Sequence, residues 1–123
     1  EDVRPLYHAA LAHGANHLVT LVRDAVGLLE RAGVTPAERV VAPLLSAALD
    51  NALRHGDRAL TGPVARGDVE TVRTHLRVLS DADADLARTY RALATRTVHL
   101  AERGGLLPGH AAADVRTILE EGS

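Results

Sequence analysis

Apolar residues step along most of this chain at intervals of three and four, while strict alternation and long β-branched runs are missing. From about Leu6 to Ala32 the positions Leu11, Ala15, Leu18, Val22, Val26 and Leu29 keep that spacing and predict one long amphipathic helix, stopped at Gly33. "TPAE" then restarts a helix: Thr35 can cap, Pro36 suits the first helical position, and Glu38 can reach back to complete a capping box. This second helix runs to about His55, with a kink or break expected at Pro43 and a stop at Gly56. After the turn "ALTGPVARGD", Asp68 is placed to cap a helix whose Val69, Val72, Leu76 and Leu79 share a face. "DADADLARTYRALATRTVHLAERG" begins another on an acidic first turn and closes at Gly104, and "HAAADVRTILEE" makes a short last one after "LLPG". The pattern predicts an all-α fold, a single bundle of five or six helices with no internal domain boundary, in which Leu18 and Leu93 sit centrally in the core.

Composition sharpens this picture. Phe, Trp, Met and Cys are absent and Tyr7 and Tyr90 are the only aromatics, so Leu, Val and Ala must fill the interior. The 14 basic residues, all arginine, against 16 acidic ones leave no strong field to recruit nucleic acid or an anionic membrane. Without lysine or cysteine there is no Schiff-base or thiol chemistry and no thiolate metal site. No apolar run approaches a membrane span and no signal peptide opens the chain, so a cytoplasmic protein is expected. The chain begins "EDVRPLYH" and lacks methionine, which is read as the mark of a fragment of a longer protein.

Few residues offer chemistry. His13 and His17 are four apart, the spacing at which two imidazoles grip one metal, but two ligands do not make a site; they are read as facing solvent or a partner, and no metal is expected. His8 and Asn16 border the apolar stripe of the first helix, about 80° and about 12 Å apart by regular helix geometry, and can both look into a cleft or simply satisfy nearby backbone groups. His55, His75, His99 and His110 show no partner pattern and are read as surface or rim residues. In "ALTGPVARGD" the Thr61 hydroxyl can cap a short helical turn begun by Pro63, and Gly62 gives the backbone room. Amides exposed there would favour an anion, and Arg66 could add a forked donor to carboxylate or phosphate. The plainer alternative is an ordinary connector with Arg66 paired to a surface acid such as Glu70. No dinucleotide fingerprint, phosphate loop, nucleophile elbow or paired-carboxylate motif occurs, so no catalytic residue is assigned.

Three stretches, "YHAALAHGANHLVTL", "ALTGPVARGDVETVRTHL" and "YRALATRTVHLA", together resemble the carboxy-terminal, domain-of-unknown-function half of proteins that begin with a Rossmann-like NADP-binding domain. The wider clan includes 6-phosphogluconate dehydrogenase, ketopantoate reductase and pyrroline-5-carboxylate reductase. The resemblance implies a helical domain like the carboxy-terminal domain of 6-phosphogluconate dehydrogenase, which packs against a nucleotide-binding domain, closes the cleft over a small-molecule substrate and forms a homodimer. NADP or NAD would be held mainly by the amino-terminal domain. His8 matches the histidine that opens the family's first helix, and Asn16 the asparagine of its usual "SN" pair, with Ala15 here in place of the serine. Thr61, Gly62, Pro63, Arg66 and Gly67 match the family turn directly. The expectation is thus the substrate-side and dimerisation domain of an NAD(P)-dependent oxidoreductase or oxidoreductase-like protein, inactive by itself. The rival expectation is a non-catalytic helical oligomerisation or interaction module, and the last is a histidine-based metal protein.

Overall fold

The computed structural model describes residues 2–121 and contains helices and turns with no strand among them. The all-α expectation holds. A helix α1, Arg4–Leu11, widens into a π-helical turn, Ala12–Asn16, and runs on without a break as α2, His17–Arg31. It stops at Gly33, whose left-handed φ of 88° lets the Val34 amide donate back to the Leu29 carbonyl at 3.0 Å. Helix α3 spans Ala37–His55, a 3₁₀ turn covers Gly56–Ala59, and the short α4 covers Gly62–Arg66. Helices α5, Val69–Ala82, α6, Ala84–Arg103, and α7, Gly109–Glu120, complete the order.

Two local expectations change. The α3 helix starts at Ala37, with the Pro36 carbonyl accepting from the Val40 amide at 3.3 Å, so Pro36 sits at the cap position rather than inside the first turn. Pro43 lies inside α3 without ending it; one missing amide costs a single hydrogen bond, and the alanines and leucines that follow favour carrying the helix on. Gly104 caps the end of α6 as expected, and the left-handed Gly105, at φ 74°, follows it, with the Leu106 amide closing the turn on the Ala101 carbonyl at 2.9 Å.

The chain divides between Ala47 and Ala48, partway along α3, into two compact units that the sequence did not signal. In the second, α5, α6 and α7 pack on one another and on α4. Their core joins Val72 and Leu76 of α5, Ala94, Val98 and Ala101 of α6, and Ala112, Val115, Ile118 and Leu119 of α7, with Val64, Ala65 and Leu107 from the connections. The spacing of each set is that of one helical face. Ion pairs tie the rim: Arg116 to Glu102 at 2.7 Å, and Arg103 to Asp57 of the 3₁₀ turn at 3.2 Å.

The first unit differs. Val26 and Ala37 are its buried apolar side chains, whereas Leu6, Tyr7, Leu11, Val19 and Leu44 are all more than half exposed. Leu18 and Leu93, expected at the centre of a core, are each 41% exposed. Spacing gives the period of a helix but not which side is buried: the inward face of α6 is Ala87, Ala94, Val98 and Ala101, and Leu93 flanks it.

The contrast yields a stability test. Leu76→Ala, at a site 6% exposed, should cost about 2–5 kcal/mol in urea unfolding, because a cavity adds to the lost transfer energy. Leu93→Ala should cost less than about 1 kcal/mol, as a surface truncation does.

Candidate functional site

The turn that carries Thr61, Gly62, Pro63 and Arg66 consists of two helix caps set back to back. Thr61 is extended, Gly62 takes a left-handed φ of 91°, and Pro63 enters the first turn of α4, where its missing amide is not needed. Val64 and Ala65 face inward and are buried in the second unit's core. Gly67, at φ 72°, then ends α4: its amide donates to the Val64 carbonyl at 3.1 Å and the Asp68 amide to the Pro63 carbonyl at 2.8 Å, the paired bonds of a Schellman motif. A Cβ on Gly67 would meet Leu107 Cδ1 at 3.1 Å and Ala111 Cβ at 3.3 Å, so both conformation and space require glycine here.

Asp68 begins the next helix. Its carboxylate accepts from the Thr71 hydroxyl at 2.7 Å and from the Thr71 amide at 3.2 Å, fulfilling the predicted cap of α5. Those two bonds, the hydroxyl's first and the amide's second, hold the Asp68 carboxyl below its ordinary range, with a smaller push from Arg66.

Thr61 makes no side-chain cap bond, contrary to the reading of its hydroxyl; its extended backbone and exposure leave the α4 entry to Gly62 and Pro63. Arg66 is exposed and makes no ion pair among the described residues. Of the acids near Arg66, Glu70 lies 4.0 Å from Arg73, and Asp68 feels the Arg66 charge without a direct ion pair. Glycine, proline and aspartate in this turn all have local structural tasks. Arg66 has none.

His8 and Asn16 lie in the first unit, both exposed. The His8 ring tilts against Tyr7, centroids 5.7 Å apart. Asn16 closes the π-helical turn that also contains His13 and Gly14. This widened turn sets the chain back relative to regular helix rotation, so the angle between His8 and Asn16 read at 100° per residue does not carry over. Such turns are rare and concentrate at functional sites; nothing in the local sequence announced it. His13 and His17 meet with their Nδ1 atoms 3.2 Å apart and their rings edge to face. Among the described residues no group of three or more histidine, aspartate or glutamate side chains is arranged to hold a metal ion.

Two arrangements escaped sequence reasoning. His75 Nδ1 lies 3.1 Å from the Tyr90 hydroxyl, joining α5 to α6, and burial raises the Tyr90 pKa. A cleft of about 140 Å³ on the second unit is lined by Arg73, Leu76, Arg77, Ser80, Arg91, Ile118 and Glu121. The step of four between Arg73 and Arg77 was a legible signal for it; the contribution of Arg91 from another helix was not. None of the turn residues from Thr61 to Arg66 lines that cleft. No described helix is long and apolar enough to cross a membrane.

The depressed Asp68 pKa sets a pH dependence. A carboxyl whose folded pKa is lowered contributes stability above its unfolded value, about 3.9, and loses it as pH falls through the folded value. Asp68→Asn should therefore lower Tm at pH 7, and the gap from the parent protein should close as melts are taken to pH 3 and below.

No curated protein and no solved structure matches the chain. A family model does match, over residues 1–97, a span that includes His8, Asn16 and the whole of the Thr61–Asp68 turn and ends within α6. With that share of its length matched, the chain belongs to DUF2520, a family defined as a domain of unknown function.

Proposed function

We propose that this domain forms the substrate side of a cleft in an NAD(P)-dependent oxidoreductase or oxidoreductase-like protein, whose dinucleotide is held by a Rossmann-like domain elsewhere in the polypeptide. The observation that carries the reading is Arg66: it is exposed and makes no ion pair among the described residues, at the end of a turn whose Gly62, Pro63, Gly67 and Asp68 have backbone and capping tasks. A guanidinium offers two parallel donors to a carboxylate or phosphate, and a turn anchored by buried Val64 and Ala65 presents it with little motion. In this reading Arg66 holds the anionic group of a small substrate or of the cofactor. His8 and Asn16 supply donors that orient the reacting part. The resemblance of the three quoted stretches to Rossmann-associated domains supplies the reaction class; the chain's own residues supply orientation and charge, not hydride chemistry.

The full-length protein should bind NADPH, followed by its fluorescence. Arg66→Ala should weaken ligand binding or turnover about tenfold or more, the scale of a charged hydrogen bond, and Asn16→Ala should lower turnover with NADPH still bound. Unchanged ligand binding and turnover in both variants would remove these residues from the site.

A second reading has its own support. The leucines left exposed along α1 and α2, among them Leu6, Leu11, Leu18 and Leu21, are the composition of an association surface. On this reading the domain is a homodimerisation or interaction module and the histidines are idle. Sedimentation of the parent protein and of Leu11→Asp should show a dimer that the substitution weakens. A dimer without NADPH binding by the full-length protein leaves the module as the function, and NADPH binding restores the oxidoreductase reading.

A further inference from the structure

We propose that the cleft between α5, α6 and the end of α7 is a binding site for the dianion of a small phosphate monoester. The helix α5 puts Arg73, Leu76, Arg77 and Ser80 along it, a spacing of three, one and three residues that is a single helical face. Arg91 enters from α6, and Ile118 and Glu121 from α7 and its end. Three guanidiniums against one carboxylate leave the lining at a net charge of +2 (three positive less one negative), which a doubly charged ligand neutralises.

The cations are not equally engaged. Arg91 Nη1 donates to the Leu119 carbonyl at 2.8 Å and the Glu121 carbonyl at 2.6 Å, which fixes its guanidinium on the end of α7 and leaves its other N–H groups free to donate. Arg73 reaches Glu121 at 3.4 Å and Glu70 at 4.0 Å, both long contacts. Arg77 has no ion pair among the described residues. Like charges four apart on a helix repel; Glu121 offsets Arg73, and Arg77 is left to meet a further anion. The Ser80 hydroxyl, one turn beyond Arg77, adds a neutral donor.

The floor decides the ligand class. Leu76 and Ile118 are 6% and 5% exposed, so the base of the cleft is apolar while its rim is cationic. A bare inorganic ion would leave that base wet. A phosphate joined to a short carbon stem satisfies both, with the charge at the arginines and the stem on the leucine and isoleucine. Forked guanidinium donors match phosphate oxygens as well as carboxylate ones, but a single carboxylate would neutralise only half of the lining charge.

The test is titration of the full-length protein with phenyl phosphate at fixed ionic strength, followed by amide and arginine-side-chain NMR shifts and by calorimetry. Shifts should concentrate at Arg73, Arg77, Ser80 and Arg91. Arg77→Gln, at an exposed site that leaves the fold intact, should weaken binding at least tenfold, while Arg96→Gln, an exposed arginine outside the cleft, should leave it unchanged. Binding should also fade as pH drops below about 6, where the monoester loses its second charge. The proposal is overturned if Arg77→Gln binds like the parent, if Arg96→Gln weakens binding equally, if benzoate binds as tightly as phenyl phosphate, or if the shifts lie elsewhere. These outcomes stand apart from those at Arg66 and Asn16, which line no part of this cleft.

Discussion

Everything in the second unit depends on close approach of helices across very small side chains. A chain without Phe, Trp or Met has to fill its interior with Leu, Val and Ala, and the buried face of α6, Ala87, Ala94, Val98 and Ala101, is mostly alanine. Interior packing is as dense as an organic crystal only if such faces come near enough for the neighbouring valines and leucines to interdigitate. Val72, Val98 and Val115, one from each of α5, α6 and α7, are fully buried and mark where they do. The functional features inherit their positions from this contact. Burial of Val72 and Leu76 turns the Arg73–Arg77–Ser80 edge of α5 to the cleft, and burial of Val64 and Ala65 fixes the short helix that ends in Arg66.

A five-residue helix such as α4 cannot hold itself together by propagation, since nucleation alone outweighs so few hydrogen bonds. It exists because each end is closed by residues suited to the task and its middle is docked on the core. Gly62 and Gly67 take backbone conformations that other residues resist, Pro63 enters preset for the first turn, and Asp68 serves both as the residue beyond the α4 stop and as the cap of α5. Such economy has a consequence for interpretation. A motif can be specific to a family and yet be explained almost entirely by backbone geometry, and the chemistry is then to be sought in whichever residue geometry does not require, here Arg66.

How far the sequence could be read follows from what kind of physics each feature obeys. Helix class, the stop at Gly33, the Asp68 cap and the inward face of Val69, Val72 and Leu76 were legible because each is decided within a few residues. The Gly104 stop of α6 was legible for the same reason. At Pro43 the break that a proline can make is absent, because its helical neighbours carry the helix on. The π-helical turn at Ala12–Asn16 and the pairings His75 with Tyr90 and Arg91 with the end of α7 were out of reach. The first is a choice between nearly equal hydrogen-bond registers, and the others join residues 15 to 30 positions apart.

The two units expose a limit of hydrophobic periodicity itself. A stripe of leucines three and four apart states that one face of a helix is to be removed from water; burial is favourable whatever covers it, because the hydrophobic effect has no direction. In the second unit the stripe and its cover are on the same chain, so periodicity reads as core and Leu76 is buried. In the first, the identical spacing leaves Leu11 52% and Leu6 74% exposed. The misplacement of Leu93 has another origin: it lies about 100° round α6 from Ala94, beside the face that Ala87, Ala94, Val98 and Ala101 bury.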